Sequence, residues 1–284
     1  MHCRRYVFQG AAIAASCICH FAAAQTAGDA PVAGEDIFLD QMTVTTTLNP
    51  LPAFDAPGMV TVIDREEIEA FQASTPDDVL RFVPGVEFVG GPRRTGETPS
   101  IRGFSGADVV VLFDGARQNF GSAHDGRFFI DPEILRGVEV LRGSASSLYG
   151  SGGTGGVIEF RTARAADYLE PGETFGGRVS TGYQDVNTEE FASLTGYGLF
   201  ANGIDVIANL TYRDSNAIDL GDGSTLTNAD DQLLGGLFKI GGALGENHHL
   251  EGSFTGFFNQ AEEPNNGQGL GGPDTVEKDI SSQT

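Results

Sequence analysis

The side chains best able to bind a metal or act as nucleophiles are three cysteines and five histidines, and most are quickly set aside. Cys3, Cys17 and Cys19 all lie at the very start of the chain, so the remainder has no disulfide and no thiolate site. His248 and His249 are adjacent; on a strand they point to opposite faces and cannot chelate one ion together. His2 and His20 belong to the same leading stretch as the cysteines. That leaves His124, flanked by Gly121 and Gly126 and close to Phe120, Phe128 and Phe129. A neutral imidazole there can ligate iron or another transition metal, or it can simply be solvated. Gly150, Gly152 and Gly155 satisfy G-x-G-x-x-G, but Val157-Ile158-Glu159-Phe160 comes next as a β-branched run. No helix N-terminus is therefore offered to a pyrophosphate, and these glycines read as a connecting loop. Asp219-Leu220-Gly221-Asp222-Gly223 lacks the alternating ligands and terminal glutamate of a calcium loop. With no G-x-S-x-G elbow either, the chain reads as a non-enzyme, with no catalytic residue and no catalytic cofactor.

The elements that position these residues fall into four stretches. Arg4 and Arg5, an apolar run to Phe21 and Ala22-Ala23-Ala24 predict a secretory signal peptide over residues 1–24. Residues 25–58 read as a flexible, acidic arm. It contains a short β-prone run, Ile37 to Thr47, set off by Pro50, Pro52 and Pro57. Such a tethered strand suits addition to another protein's sheet edge, or is an ordinary first strand. The net charge is −22 with a pI near 4.4 and only two lysines, Lys239 and Lys278, which excludes a nucleic-acid partner.

Residues 59–166 have mixed α/β texture. Val60–Ile63 predicts a strand, Asp64 caps a helix, and Ser74 or Thr75 caps a second one that Pro84-Gly85 stops. Val109–Phe113 predicts a strand buried on both faces, with further strands at Val138–Leu141 and Val157–Phe160. From 167 to 284 the pattern alternates. Leu210 and Tyr212 interleave with Asn209, Thr211 and Arg213, and Phe254 and Phe258 with Thr255 and Asn259. Runs near 177–184, 191–200, 204–213, 233–244 and 250–259 predict about five barrel-type strands, apolar outward and polar inward.

Pro99-Ser100-Ile101-Arg102-Gly103-Phe104, Val111-Leu112-Phe113-Asp114-Gly115, and Val138-Glu139-Val140-Leu141-Arg142-Gly143 through Tyr149-Gly150 resemble, in order and spacing, the plug of TonB-dependent outer-membrane receptors. Ser144 departs from the proline common there. The fold class implied is an α/β plug domain followed by the first antiparallel strands of a transmembrane β-barrel. The resemblance makes Asp40, Gln41, Met42, Thr43, Val44, Thr45 and Thr46 the TonB box, which would pair with periplasmic TonB by strand addition. It assigns Arg102, Asp114 and Arg142 to bracing plug against wall.

Arg117 to Pro132 is most similar to the haem and haemoglobin receptors. It implies His124 as an axial haem-iron ligand and Phe120 and Phe128 as apolar contacts. Haem would be the transported ligand, free or from haemoglobin, and the barrel would sit in outer-membrane lipid. A ferric-siderophore or cobalamin receptor of the same architecture is the alternative within the family. Barrels of this family have about 22 strands, and an open sheet leaves costly unpaired edges in a bilayer. The chain is therefore expected to be the front of a longer protein, the other reading being a soluble periplasmic interaction domain.

Overall fold

The computed structural model describes residues 41–284 except 92, 120, 122–124, 127, 202, 246–247 and 270–274. The expected signal peptide, Asp40, Phe120 and His124 lie outside the described residues. The α/β domain runs β1 (Met59–Asp64), α1 (Arg65–Ala70), α2 (Pro76–Leu80), β2 (Val86–Val89), β3 (Thr98–Ile101), β4 (Val109–Phe113), β5 (Leu135–Arg142), α3 (Ser146–Tyr149) and β6 (Gly156–Thr162). α1 starts at a capping box: the Asp64 carboxylate accepts from Glu67 N at 3.0 Å, and the Glu67 carboxylate accepts from Asp64 N at 3.2 Å. Thr75 and Asp78 do the same for α2, with Pro76 in its first turn.

The main sheet has the order β1-β5-β6-β4, extended by the short strand Ala116–Arg117; β6 runs parallel to β4 and antiparallel to β5. Because side chains alternate along a strand, the sheet sorts its residues into two faces. Ile63, Val109, Val111, Val138, Val140, Ile158 and Phe160 join α1, α2 and the loops in the larger core. Val110, Leu112, Leu141 and Val157 form a smaller one on the opposite face. Glu139 and Glu159 share that second face and stand directly opposite one another in register. Like charges so placed repel; Arg161 offsets this, lying 2.8 Å from Glu139 and 3.4 Å from Glu159.

The wall is an antiparallel sheet in sequence order: β7 (Phe175–Gln184), β8 (Glu189–Leu199), β9 (Ile204–Asp214), β10 (Asp231–Ala243), β11 (His249–Pro264) and β12 (Thr275–Gln283). β12 is one strand more than the five expected. The dyads resolve as expected: Leu194, Leu210, Leu234, Phe238, Phe254 and Phe258 are exposed on the outside, while Ser193, Thr211, Arg213, Lys239 and Asn259 are buried on the inside. So continuous an apolar belt fits lipid rather than water. Ile207 and Leu237 point inward and join the core of the α/β domain, so the domain and wall are packed as one unit. Among the described residues no helix is long and apolar enough to cross a membrane, and the wall sheet has free edges at β7 and β12.

Candidate functional site

Residues 41–58, expected as part of a flexible arm, are folded back on the second face of the main sheet. Met42–Thr43 pairs with Leu51–Pro52, and the turn after it is bound by Glu139. One oxygen of that carboxylate lies 2.8 Å from Thr43 Oγ1, 3.0 Å from Val44 N, 2.9 Å from Thr45 N and 2.6 Å from Thr45 Oγ1. Thr45 Oγ1 also lies 3.0 Å from the Glu159 carboxylate, and Tyr149 donates its hydroxyl to Thr45 O at 2.8 Å. Burial alone would raise the Glu139 carboxyl, but donation from Thr45 and Thr43 and the Arg161 charge outweigh it and hold the group below the usual range. Burial, with the two carboxylates nearby, pushes the Tyr149 phenol up to about 12, so it stays a donor.

On the other side the domain is fastened to the wall by a chain of alternating charges. Asp131 holds Arg213 (2.6 Å), Arg213 holds Glu189 (2.9 Å), Glu189 holds Arg94 (2.7 Å), and Arg94 holds Asp231 (2.9 Å). Ser215 and Asn259 each donate to Asp231 at 2.6 Å. Two arginines thus serve three carboxylates, and the neutral donors stabilise the excess negative charge. The Arg213 guanidinium also lies over the Phe191 ring at 4.5 Å. Burial would lift the Asp131 carboxyl, yet Arg213 and the Glu133 backbone N–H hold it low. Glu97 is different: burial dominates over the bond from Thr75 and pushes it up to about 8, which favours its protonated form. It accepts from Asp77 N at the start of α2.

The expected bracing residues divide. Asp114 does reach the wall, 3.2 Å from Lys239 of β10, while accepting from Thr162 N at 2.8 Å. Arg102 and Arg142 bond within the α/β domain: Arg102 to Met59 Sδ, Arg142 to Pro84 O and Thr61 Oγ1. Arg102-Gly103 and Asp114-Gly115 each have positive φ at both positions, the backbone of a tight primed hairpin turn. Phe128 is buried in the core against Phe160, ring centroids 5.1 Å apart, and Phe129 packs on Phe257 of the wall at 5.7 Å. The apolar pocket these rings line measures about 20 Å³, room for roughly one water and far too small for a porphyrin. These rings anchor the loop that precedes β5. The residues of the charge chain that joins domain to wall, Arg94, Asp131, Glu189, Arg213 and Asp231, were not singled out by sequence; Arg213 alone carried a signal, at a polar inward position of its dyad.

Residues 52–157 match the model of the TonB-dependent receptor plug domain. The chain is 35% identical over 231 residues to the hemin receptor of Yersinia pestis, covering 81% of this chain and 34% of that protein. It is 32% identical over 219 residues to the heme/hemopexin utilization protein C of Haemophilus influenzae, covering 76% and 30%. The chain therefore spans about a third of the length of these relatives. Among solved structures, the hemophore receptor HasR of Serratia marcescens, a double mutant in complex with its hemophore HasA and heme, superposes with a TM-score of 0.66 at 25% identity over 74% of this chain and 32% of that one. The FrpB iron transporter of Neisseria meningitidis gives 0.71 at 20% identity over 80% and 37%, a likeness of fold. A plug sheet packed inside apolar-out, polar-in strands, with these matches along most of its length, makes this chain a member of the TonB-dependent receptors of the bacterial outer membrane.

Proposed function

We propose that the full-length receptor imports haem, free or taken from a haem protein, with energy delivered through TonB. The observation that carries this reading is that relatives named for hemin and heme align over about four-fifths of the chain. His124 is the axial ligand in this proposal, since a neutral imidazole binds haem iron well. Phe120 supplies apolar contact, and Phe128, buried as it is, supports the loop from below. Haem is cargo here rather than a resident cofactor.

Asp40 to Thr46 is the TonB-binding segment, joining TonB by strand addition. Val44 N and Thr45 N donate to Glu139 and Thr45 O accepts from Tyr149, so the segment must leave Glu139 before these groups can pair with a partner strand. A strain lacking its own haem uptake tests the proposal. Expression of the full-length receptor should restore growth on haem as sole iron source only when TonB is functional. Growth on a ferric siderophore but not on haem would replace haem with the siderophore reading.

A further inference from the structure

Between the plug helices and the first wall strands lies a gap of about 660 Å³, within the range of small-molecule sites. Its plug side is built by α1, residues 71–74 and α2, its wall side by β7 and β8. β7 presents Arg178, Ser180 and Gly182 to it, Arg178 and Ser180 standing opposite the buried, inward-facing Thr195 and Ser193 of β8. On β7 the lining runs from Arg178 to Gln184, about 20 Å at the usual strand rise. Gln184 lies at the end of the wall from which the longer connections after Asp214 and Pro264 leave, and Arg178 toward the end with the shorter ones after Leu199 and Ala243. In such barrels these are the outer and periplasmic ends. At other contacts the plug is seated directly on the wall, through Asp131 on Arg213, Asp114 on Lys239 and the core around Ile207 and Leu237.

An ion pair crosses the gap, Glu69 of α1 with Arg178, and Arg65 lies 2.6 Å from the same carboxylate. Burial would raise Glu69, but donation from Arg178 and Arg65 holds it low. Glu133 lies 3.8 Å from Arg65, and burial pushes its carboxyl up, toward the protonated form. Two guanidiniums thus share one firmly ionised carboxylate, and the cluster is short of negative charge. Both partners of the Glu69–Arg178 pair are about a third exposed; such a pair contributes little and can exchange its carboxylate for another. We propose that this gap is the route by which cargo passes the plug, with Arg178 and Arg65 receiving the carboxylate groups of an anionic cargo on the way. The inference rests on the haem reading for its cargo, whose two propionates supply such carboxylates, and goes beyond it in naming the route.

The test uses the full-length receptor with single cysteines at the gap. Ser180→Cys and Gln72→Cys should react with a small charged methanethiosulfonate. Thr211→Cys, at a position buried and hydrogen-bonded within the wall, should not. If neither gap cysteine reacts, the gap is filled in the whole receptor and the proposal falls; this arm uses no haem and is independent of the haem reading. Binding is then followed by the Soret band and uptake by TonB-dependent accumulation of haem iron. Ser180→Trp and Arg178→Glu should each cut uptake by about tenfold or more, the scale on which a charged cleft alters substrate rates, with binding as in the parent. Arg178→Lys should recover uptake. Parent-like uptake in both variants would put the route elsewhere and overturn the proposal. Equal losses of binding and uptake would mark a role in binding alone and overturn it too. Should Ser180→Trp not assemble, Ser180→Cys labelled after folding supplies the bulk. A parent receptor that binds no haem would overturn the haem reading and the propionate assignment together.

Discussion

The two faces of the plug sheet are held in different ways. On one face a single ionised carboxylate, Glu139, gathers hydroxyls and backbone N–H groups of Thr43 to Thr45, supported by Glu159 and Tyr149. On the other, an apolar core continues into Ile207 and Leu237 of the wall, and beside it runs the buried chain from Asp131 to Asp231. The first grip is made of hydrogen bonds to Thr43, Val44 and Thr45, so the segment leaves by exchanging them for bonds to water or to another strand. Breaking the second strands charges in a water-poor interior. The proposed hand-over of Asp40 to Thr46 to TonB, with the plug kept seated, calls for this asymmetry.

The largest test of the contrast is Arg213→Ala. It leaves Asp131 without its buried ion-pair partner and Glu189 with Arg94 alone, and should lower stability by about 3–5 kcal/mol, measured as denaturant unfolding of the receptor in micelles. A loss below about 1 kcal/mol, the range of an exposed pair, would mean the charge chain does not fasten plug to wall. Next is Glu97, whose folded-state value of about 8 exceeds the ordinary 4.5. Between those values the folded state holds a proton that the unfolded state has lost, so stability falls as pH rises, by at most about 1.4 kcal/mol per pH unit. Glu97→Gln should flatten that slope; a slope unchanged in the variant would assign it elsewhere.

Glu139 runs the other way. Its folded-state value is depressed, so its contribution is complete above the unfolded value of 4.5 and is lost as pH falls through the depressed one. Glu139→Gln should weaken the grip on Thr43 to Thr45 by about 1.5–3 kcal/mol, the worth of hydrogen bonds to a charged group. A spin label at Thr46→Cys should gain mobility in that variant at pH 7, and in the parent only in acid. Equal mobility in both at pH 7 would show that the carboxylate does not hold the segment. The smallest effect belongs to Arg81→Ala. Its pair with Asp78 is largely solvent-facing, and the change should stay within about 0.5 kcal/mol by the same unfolding measurement.

Local signals were legible where they were local. Asp64 was read as the cap of the first helix and Ser74 or Thr75 as that of the second, where Thr75 holds the position, and the dyads of β9 and β11 gave the correct inward and outward sets. β12 escaped because its pattern is inverted. Val276, Lys278 and Ile280 share the face that pairs with the inward side of β11, leaving Glu277, Asp279 and Ser281 outside, so an apolar-outward rule passes over it. The grip on Thr43 to Thr45 was invisible because Glu139 is 94 residues from Thr45; no local pattern couples them. The buried charge chain was hidden for the same reason. Arg94 reads as a loop arginine until the strands bearing Glu189 and Asp231 close around it. Asp114 directly follows its strand and lies 3.2 Å from Lys239 of the wall. Arg102 and Arg142 were not distinguishable from it until their partners in the α/β domain were seen.

Whether haem is the cargo is decided by titrating it into the purified full-length receptor. A shifted, sharpened Soret band that saturates at one haem per receptor is expected. A spectrum that remains that of free haem throughout the titration would contradict haem as the ligand.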